Sequence, residues 1–569
     1  MLFLLWTLFF FSPLLWPNVI DNLFAIHLLA IGAGLVAAAW MATCYSDEAP
    51  RPLSWGFLAM LLLPIVLQLL GGELRNPWRA FEMALYVCSA WLIYRMSGGS
   101  ARSLLGSRDW SLLLGVIGNI AVLFAVLQQF RLPLFTGFEV FPIWQQFPTA
   151  FAGMQVQQNL QGLFLVLICM PLWARGMMEA KSWPWWLASV LPCAGILATS
   201  SRGSALVLLV GVVALMWMSR RRGSSALWFA GILLVAGMIS QYWHMYPEIT
   251  GQEATLSDRM AAVGVQGRLF IWSMCWNLFL EHPWLGIGAG NLMSYGTEAI
   301  PPVLAAHPGF AGVASSMVGG HACAHNLVLQ FFMEWGVLGG LAVVLFMLVL
   351  GLRMGKLLLQ RDIDLRDGRI QGGIGVVLML LHGMFSVSMM QGFFLVLLAL
   401  YSAALLIPAG ETAGSPRPSL VPRLLVLMIP SLFIFYNWQL FVNREWRCEA
   451  AATLSIEDPV FARDVGEAVD NPWSSRAALQ WYIGRLVWEH DPAKIVASEN
   501  FVYRYWMMHQ GTLSLRYLIL VAHLKNDIYA ERRWATLFRA AYPEHSLSPY
   551  LKEHVEHGHA AGEAIDLDL

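Results

Sequence analysis

Trp335-Gly336-Val337-Leu338-Gly339-Gly340-Leu341-Ala342-Val343-Val344-Leu345-Phe346-Met347-Leu348-Val349-Leu350 is the stretch that decides the fold. It carries no charge. With its flanks, over 327–352, it exceeds the roughly 20 residues an α-helix needs to cross the hydrocarbon core of a bilayer. Outward from it the pattern recurs. About thirteen candidate spans can be counted on that length criterion, near residues 2–20, 23–44, 53–71, 80–96, 110–130, 159–177, 183–199, 203–219, 224–243, 327–352, 372–389, 391–408 and 421–442. Pro13 and Pro17 interrupt the first. Met1-Leu2-Phe3-Leu4 lacks the basic region and cleavage site of a secretory signal, so it reads as the start of a retained span. Of the 569 residues 58% are hydrophobic and 12% charged, against about a quarter charged in soluble proteins. The expected fold is therefore an all-α polytopic membrane protein. A formal net charge of −1 excludes a strongly basic nucleic-acid binder. The seven cysteines have no paired spacing, so they predict buried small hydrophobes rather than a zinc site or disulfide framework.

Near residue 443 the composition changes. Charges become frequent, and apolar residues recur at helical spacing, as in Leu515-Arg516-Tyr517-Leu518-Ile519-Leu520-Val521-Ala522. The chain is read as a membrane domain over 1–442 followed by a small soluble helical domain over 443–569. Basic residues orient the spans. Arg220-Arg221-Arg222, then Arg353, Lys356, Arg361, Arg366 and Arg369, then Arg95, Arg102 and Arg108, are expected on the cytoplasmic side. The alternation then puts the loop 244–326 and the C-terminal domain outside. Three polar clusters reach that outer face: Gln157-Gln158-Asn159, Ser200-Ser201-Arg202 and the run from His321 to Gln330.

Polar side chains entering a bilayer are costly and usually line a cavity or do chemistry. His321-Ala322-Cys323-Ala324-His325-Asn326 heads such an entry. The imidazole of His325 titrates near neutrality and can take a proton from a hydroxyl nucleophile. Asn326, Gln330 and Glu334 follow at four-residue spacing, one helical stripe with Glu334 roughly 12 Å below Asn326. His321 and His325 are also four apart, but no acidic residue lies between them and the flanking Gly319-Gly320 favours a loop, so no metal site is expected. Arg202 opens a helix behind two hydroxyl residues, where backbone N–H groups and a guanidinium fork suit phosphate oxygens. Arg268 leads an amphipathic stretch ending at Leu280, whose aromatic face suits the membrane surface; a plain surface arginine reads equally well. His282-Pro283-Trp284-Leu285-Gly286-Ile287-Gly288-Ala289-Gly290-Asn291 has the glycine spacing of a phosphate-cradling loop without a preceding strand. Arg75 and Arg79, between Glu73 and Glu82, offer further positive charge or ion-paired surface structure.

In that order, Ser-Ser-Arg-Gly opening a helix, Gly267-Arg268, the His-Pro-glycine run and His325-Asn326…Gln330…Glu334 resemble the O-antigen ligase/polymerase superfamily. Gln128-Gln129-Phe130, with Phe151-Ala152-Gly153-Met154-Gln155-Val156-Gln157-Gln158-Asn159, is similar to bacterial protein O-oligosaccharyltransferases of the PglL type. So is the tail with Ala540-Ala541-Tyr542-Pro543. One element departs: after His382 this chain has Gly383-Met384-Phe385-Ser386, where many relatives carry a Glu-Tyr-Pro-Leu-like sequence.

The resemblance implies a bacterial inner-membrane glycosyltransferase whose active face is periplasmic. Its donor would be an undecaprenyl-pyrophosphate-linked oligosaccharide, and its acceptors pilin-like proteins or lipoproteins, with no cofactor. His325 would be the catalytic base. Arg202, Arg268, Asn159, Gln157, Asn326, Gln330, Glu334, His321, Arg75 and Arg79 would contact substrate. Ligation to lipid A-core and O-antigen polymerisation stay open on the same fold. A lipid-linked glycan transporter would need polar groups along the whole crossing path, whereas these gather at one face.

A reporter fused after residue 222 is expected to behave as cytoplasmic and one after residue 445 as periplasmic, because the arginine clusters fix the alternation. Opposite labelling at either point overturns the shared-face assignment.

Overall fold

The structure is a computed structural model that describes residues 2–11, 32, 34–36, 38, 53–129, 154–155, 157–219, 222–244, 264–317, 323–360, 363–386, 391–406, 451, 454–455, 457–466, 476–489 and 491–557. The described residues are helical, with no strand among them. Three of their helices are long and apolar enough to cross a membrane: Arg108–Leu127, Gln158–Met178 and Leu327–Leu358. Trp55–Gly71, Trp183–Ala198, Arg202–Met218, Ser225–Gln241 and Gly392–Leu406 are apolar but shorter. The segment expected at 372–389 ends as a helix at Gly383. The one at 421–442 and most of the one at 23–44 lie outside the described residues. The chain divides into two compact units, one of residues 1–58, 86–262 and 343–438, the other of 59–85, 263–342 and 439–569.

In the first unit the helix Gln158–Met178 is buried from Leu160 to Met177. Its apolar residues run all round, as an internal helix requires. Arg175, in its last turn, is buried, and its charge is answered by Ser111 Oγ, the Gly106 carbonyl and Glu179 at 2.7, 2.7 and 2.8 Å. A short connection returns the chain antiparallel as Trp183–Ala198, and Trp186 lies flat against Gly176, donating to its carbonyl at 3.2 Å. The small residue lets the backbones come close. The N-terminal helix Leu2–Phe11 is held by aromatic contacts, with Phe9 stacked on Phe393 at 4.7 Å and Trp6 edge-on to Trp110 at 5.3 Å. At the other end, Asp367 caps Gly368–Gly383 through Arg369 N–H and takes a two-pronged bond from Arg102 at 3.1 and 2.9 Å.

In the second unit the tail and the 263–342 segment share one apolar cluster. Phe270, Met274, Leu278, Ile300 and Val303 from the segment sit in it with Tyr505, Trp506, Leu515, Phe538 and Tyr542 from the tail. Polar seams fix the register. Gln510 N–H donates to the Met293 carbonyl at 2.8 Å, Glu298 N–H donates to Gln510 Oε1 at 3.1 Å, and Ser294 Oγ donates to the Met508 carbonyl at 3.3 Å. Thr297 Oγ1 and the Tyr542 hydroxyl bond at 2.9 Å, both fully buried. Burial pushes the Tyr542 hydroxyl up to about 12, so it stays protonated at neutral pH.

Tyr542→Phe strands the buried Thr297 hydroxyl. It is expected to cost roughly 1–3 kcal/mol, seen as a lower melting temperature of the purified protein. An unchanged melting temperature would show that this seam does not hold the tail.

Candidate functional site

The site in the second unit is built on a break in the helix Leu327–Leu358. Gly336 there is non-helical (φ 65°, ψ −163°), a region open essentially to glycine. A break inside an apolar helix strips carbonyls of their partners, and each buried polar group left unpaired is expensive. The His282–Asn291 loop supplies the missing bonds. Ile287 N–H donates to the Met333 carbonyl at 2.9 Å, Gly288 N–H to the Glu334 carbonyl at 3.1 Å, and Val337 N–H donates back to the Pro283 carbonyl at 2.8 Å. Contact is so close that a Cβ at Gly286 (φ 74°) would run into the backbone of Glu334, and one at Gly336 into the Trp284 carbonyl. The glycine run thus grips a broken helix.

The same loop fixes the basic residues at the head of the helix Pro77–Gly106. Asn291, fully buried, accepts from Asn76 N–H at 2.8 Å and donates to the Asn76 and Ala289 carbonyls at 3.3 and 3.0 Å. Asn76 Oδ1 in turn accepts from Arg79 N–H at 3.1 Å. Gln68 Nε2 donates to the Leu285 and Gly286 carbonyls at 3.0 and 2.8 Å. Arg75 lies over the Tyr295 ring at 3.8 Å, pairs with Glu298 at 2.6 Å and donates to the Ser294 carbonyl at 2.8 Å. Arg79 pairs with the buried Glu82. Both arginines are therefore engaged in ion pairs.

His325 stands at the head of the broken helix with a positive φ of 52°, uncommon for a residue with a Cβ. Its neighbours are pinned on three sides. Ala324 N–H donates to Gln330 Oε1 at 2.5 Å, the Ala324 carbonyl accepts from Trp272 Nε1 at 2.9 Å, and Asn326 Oδ1 caps the helix by accepting from Leu329 N–H at 3.0 Å. Arg268 is one turn from Trp272 on the helix Gly264–Glu281, on the same side. Glu334 is fully buried, facing the backbone amides of Gly290 and Leu292, the Gln330 amide and the Arg79 charge. The stripe expected from the sequence thus divides: Asn326 caps, Gln330 ties the preceding turn, and Glu334 lies under the glycine loop. His321 lies outside the described residues.

In the first unit the starts of two helices meet. Ser201 caps Arg202–Met218 by accepting from Ser204 N–H at 3.2 Å, after a left-handed Ser200 (φ 51°). Ser204 Oγ donates to the Asn159 carbonyl at 3.1 Å. Asn159 and Arg202 therefore share one corner, with the half-buried Gln157 just before the helix Gln158–Met178. Among the described residues Arg202 makes no ion pair. The fully buried His382 packs its ring against Gly203, where an added Cβ would sit 3.5 Å from the imidazole.

Residues 187–344 match the family model described as O-antigen ligase. No curated protein matches the chain. The match takes in Arg202, Arg268, the glycine loop and the His325 segment, and supports the O-antigen ligase superfamily. Arg75, Arg79, Gln157, Asn159 and His382 fall outside it.

Gln68 shapes the second-unit site without standing out in the sequence, being one amide in an apolar helix. Trp272, Asn291 and Gly336 belong to stretches singled out from the sequence, but their spacing gives no sign of the partners they meet.

Gly336→Ala puts a Cβ on a positive φ and against the Trp284 carbonyl. The backbone strain alone costs roughly 1–3 kcal/mol. A lower melting temperature is expected, together with freer hydrogen exchange at Ile287 and Gly288 in mass spectrometry. Unaltered exchange there would show that the loop does not depend on the break.

Proposed function

We propose that this protein is an O-linked oligosaccharyltransferase, moving a glycan from undecaprenyl pyrophosphate to Ser or Thr hydroxyls of periplasmic proteins such as pilins or lipoproteins. The observation that carries the reading is the O-antigen ligase match over the segment holding Arg202, Arg268 and His325. The apolar helices that accompany it suit a donor confined to a bilayer.

In the proposed reaction His325 takes the proton from the acceptor hydroxyl. The oxygen attacks the anomeric carbon, the bond from that carbon to the pyrophosphate oxygen breaks, and undecaprenyl pyrophosphate leaves with the electron pair. The left-handed turn at His325 and the three hydrogen bonds that pin Ala324 and Asn326 support this role, because they hold the backbone of His325 in one pose. Arg202 binds the pyrophosphate. It is the favoured ligand because its charge has no ion-pair partner among the described residues, whereas Arg75 and Arg79 are paired with Glu298 and Glu82. A guanidinium fork beside helix N–H groups offsets the charge that grows on the leaving group. These steps call on no nucleotide sugar and no metal ion.

A second reading has the same chemistry with lipid A-core as acceptor, favoured by the description of the matched family. Periplasmic glycoproteomics with and without the protein, beside a lipopolysaccharide gel, separates the two. Glycopeptides that vanish on deletion mark protein transfer; a lost O-antigen ladder with unchanged peptides marks ligation. In transfer assays with purified lipid-linked glycan, His325→Ala is expected to lower turnover by about 10²–10⁴-fold with donor binding retained. Arg202→Lys is expected to weaken donor binding, since a point charge replaces a fork. Near-normal turnover by the alanine variant removes His325 from the base role.

A further inference from the structure

The helix Gly264–Glu281 has two faces with different neighbours. Phe270, Ile271, Met274, Cys275 and Leu278 are buried in the core of the second unit. On the opposite side Leu269, Trp276 and Leu280 are 44, 51 and 58% exposed, and Trp284 just beyond the helix is 75% exposed. The spacing 269, 276, 280 places the three on one stripe. Large exposed apolar side chains in a line mark a contact surface.

What covers this stripe follows from where it leads. Trp284 abuts Gly336, and Val337 N–H bonds to the Pro283 carbonyl, so the stripe ends against the helix that is apolar and long enough to cross a membrane. Within the second unit that helix exposes Leu341, just past this contact. A bilayer around Leu341 reaches the stripe. The helix Gly264–Glu281 is not itself among those apolar enough to span. One apolar stripe bordered on one side by polar residues (Gln266, Ser273, Asn277), with a tryptophan in it and another just beyond, is the pattern of a helix lying in the interfacial plane.

We propose that Gly264–Glu281 is an in-plane lipid anchor, with Leu269, Trp276, Leu280 and Trp284 in the outer edge of the bilayer, and that it sets the depth of His325 against the headgroup layer. The second half rests on the function proposed above. The link is Trp272: on the same helix, it donates its indole N–H to the Ala324 carbonyl at 2.9 Å, one residue before His325. A helix held in the lipid plane would hold that carbonyl, and the left-handed turn after it, at constant depth. A pyrophosphate carried on a polyprenyl tail is confined to that same depth, so a shift of the anchor separates base from donor.

The test uses the full chain in nanodiscs of phosphatidylethanolamine and phosphatidylglycerol. The photoreactive p-benzoylphenylalanine replaces Trp276, Leu280 or, as a position on the spanning helix, Leu345. After irradiation, phospholipid adducts at 276 and 280 are expected at yields comparable to that at 345. Labelling at 345 with none at 276 or 280 overturns the anchor. Adducts form whether or not the protein transfers glycans, so failure of the proposed function leaves this arm intact. For the second half, a Trp276→Glu/Leu280→Glu variant is compared with a Trp276→Phe/Leu280→Met variant. The charged pair is expected to lower transfer in nanodiscs by about 10²-fold, the scale of a misplacement near 1 Å, while the conservative pair stays near wild type. Equal transfer by both variants, with adducts present, overturns the depth-setting role.

Discussion

Three main-chain hydrogen bonds hold the glycine loop of the second unit to the broken helix: Ile287 to Met333, Gly288 to Glu334, and Val337 to Pro283. They exist because the helix Leu327–Leu358 is broken at Gly336 and would otherwise leave peptide groups unpaired in an apolar setting. The bonds require near contact between two backbones, which is why glycine occupies both Gly286 and Gly336. Once the loop is fixed there, Asn291 is fixed, and with it Asn76, the start of the helix Pro77–Gly106 and the placement of Arg75 and Arg79. Buried polar groups in this region gain their partners from one clamp, so its loss would be felt by all of them.

The charges follow a consistent economy within each unit. Arg75, Arg79 and Arg175 each meet a carboxylate, and Arg102 is shared with Asp367. Ions in or near a low-dielectric region need such partners, since the desolvation of an unpaired one is large. Among the described residues Arg202, at a helix start capped by Ser201, makes no ion pair, and Arg353 and Lys356 make none either. A helix start with free N–H groups beside a guanidinium suits an anion.

Hydropathy made the helical class legible, since long apolar runs have few alternatives. It said less about ends: the run expected at 372–389 forms the helix Gly368–Gly383, started earlier by the Asp367 cap. The tail read as a separate helical segment from its charge density, yet its apolar faces close on the 263–342 segment, a pairing across some two hundred positions that periodicity does not encode. The glycine loop was misleading for a similar reason. Its spacing suggests a ligand cradle, while the partner its amides meet is the carbonyl pair at Met333 and Glu334, visible only once the helix is seen to break. Asn159 and Arg202 share a corner through Ser204, a serine with no motif of its own.

The polar stripe below His325 shows how positioning and chemistry separate. Spacing alone made Asn326, Gln330 and Glu334 equivalent, three polar groups descending one helical face. Geometry gives each a different task, and two of the tasks serve the backbone around His325. A left-handed residue with a Cβ costs about 1–3 kcal/mol. The Asn326 cap returns about 1 kcal/mol, and each bond made by Ala324, to Gln330 and to Trp272, adds about 0.5–1.5 kcal/mol. The strained turn is therefore sustained by its immediate neighbours. Such an outlier, over-determined on every side, is what a histidine would require if its reach toward a substrate had to be set before the substrate arrives.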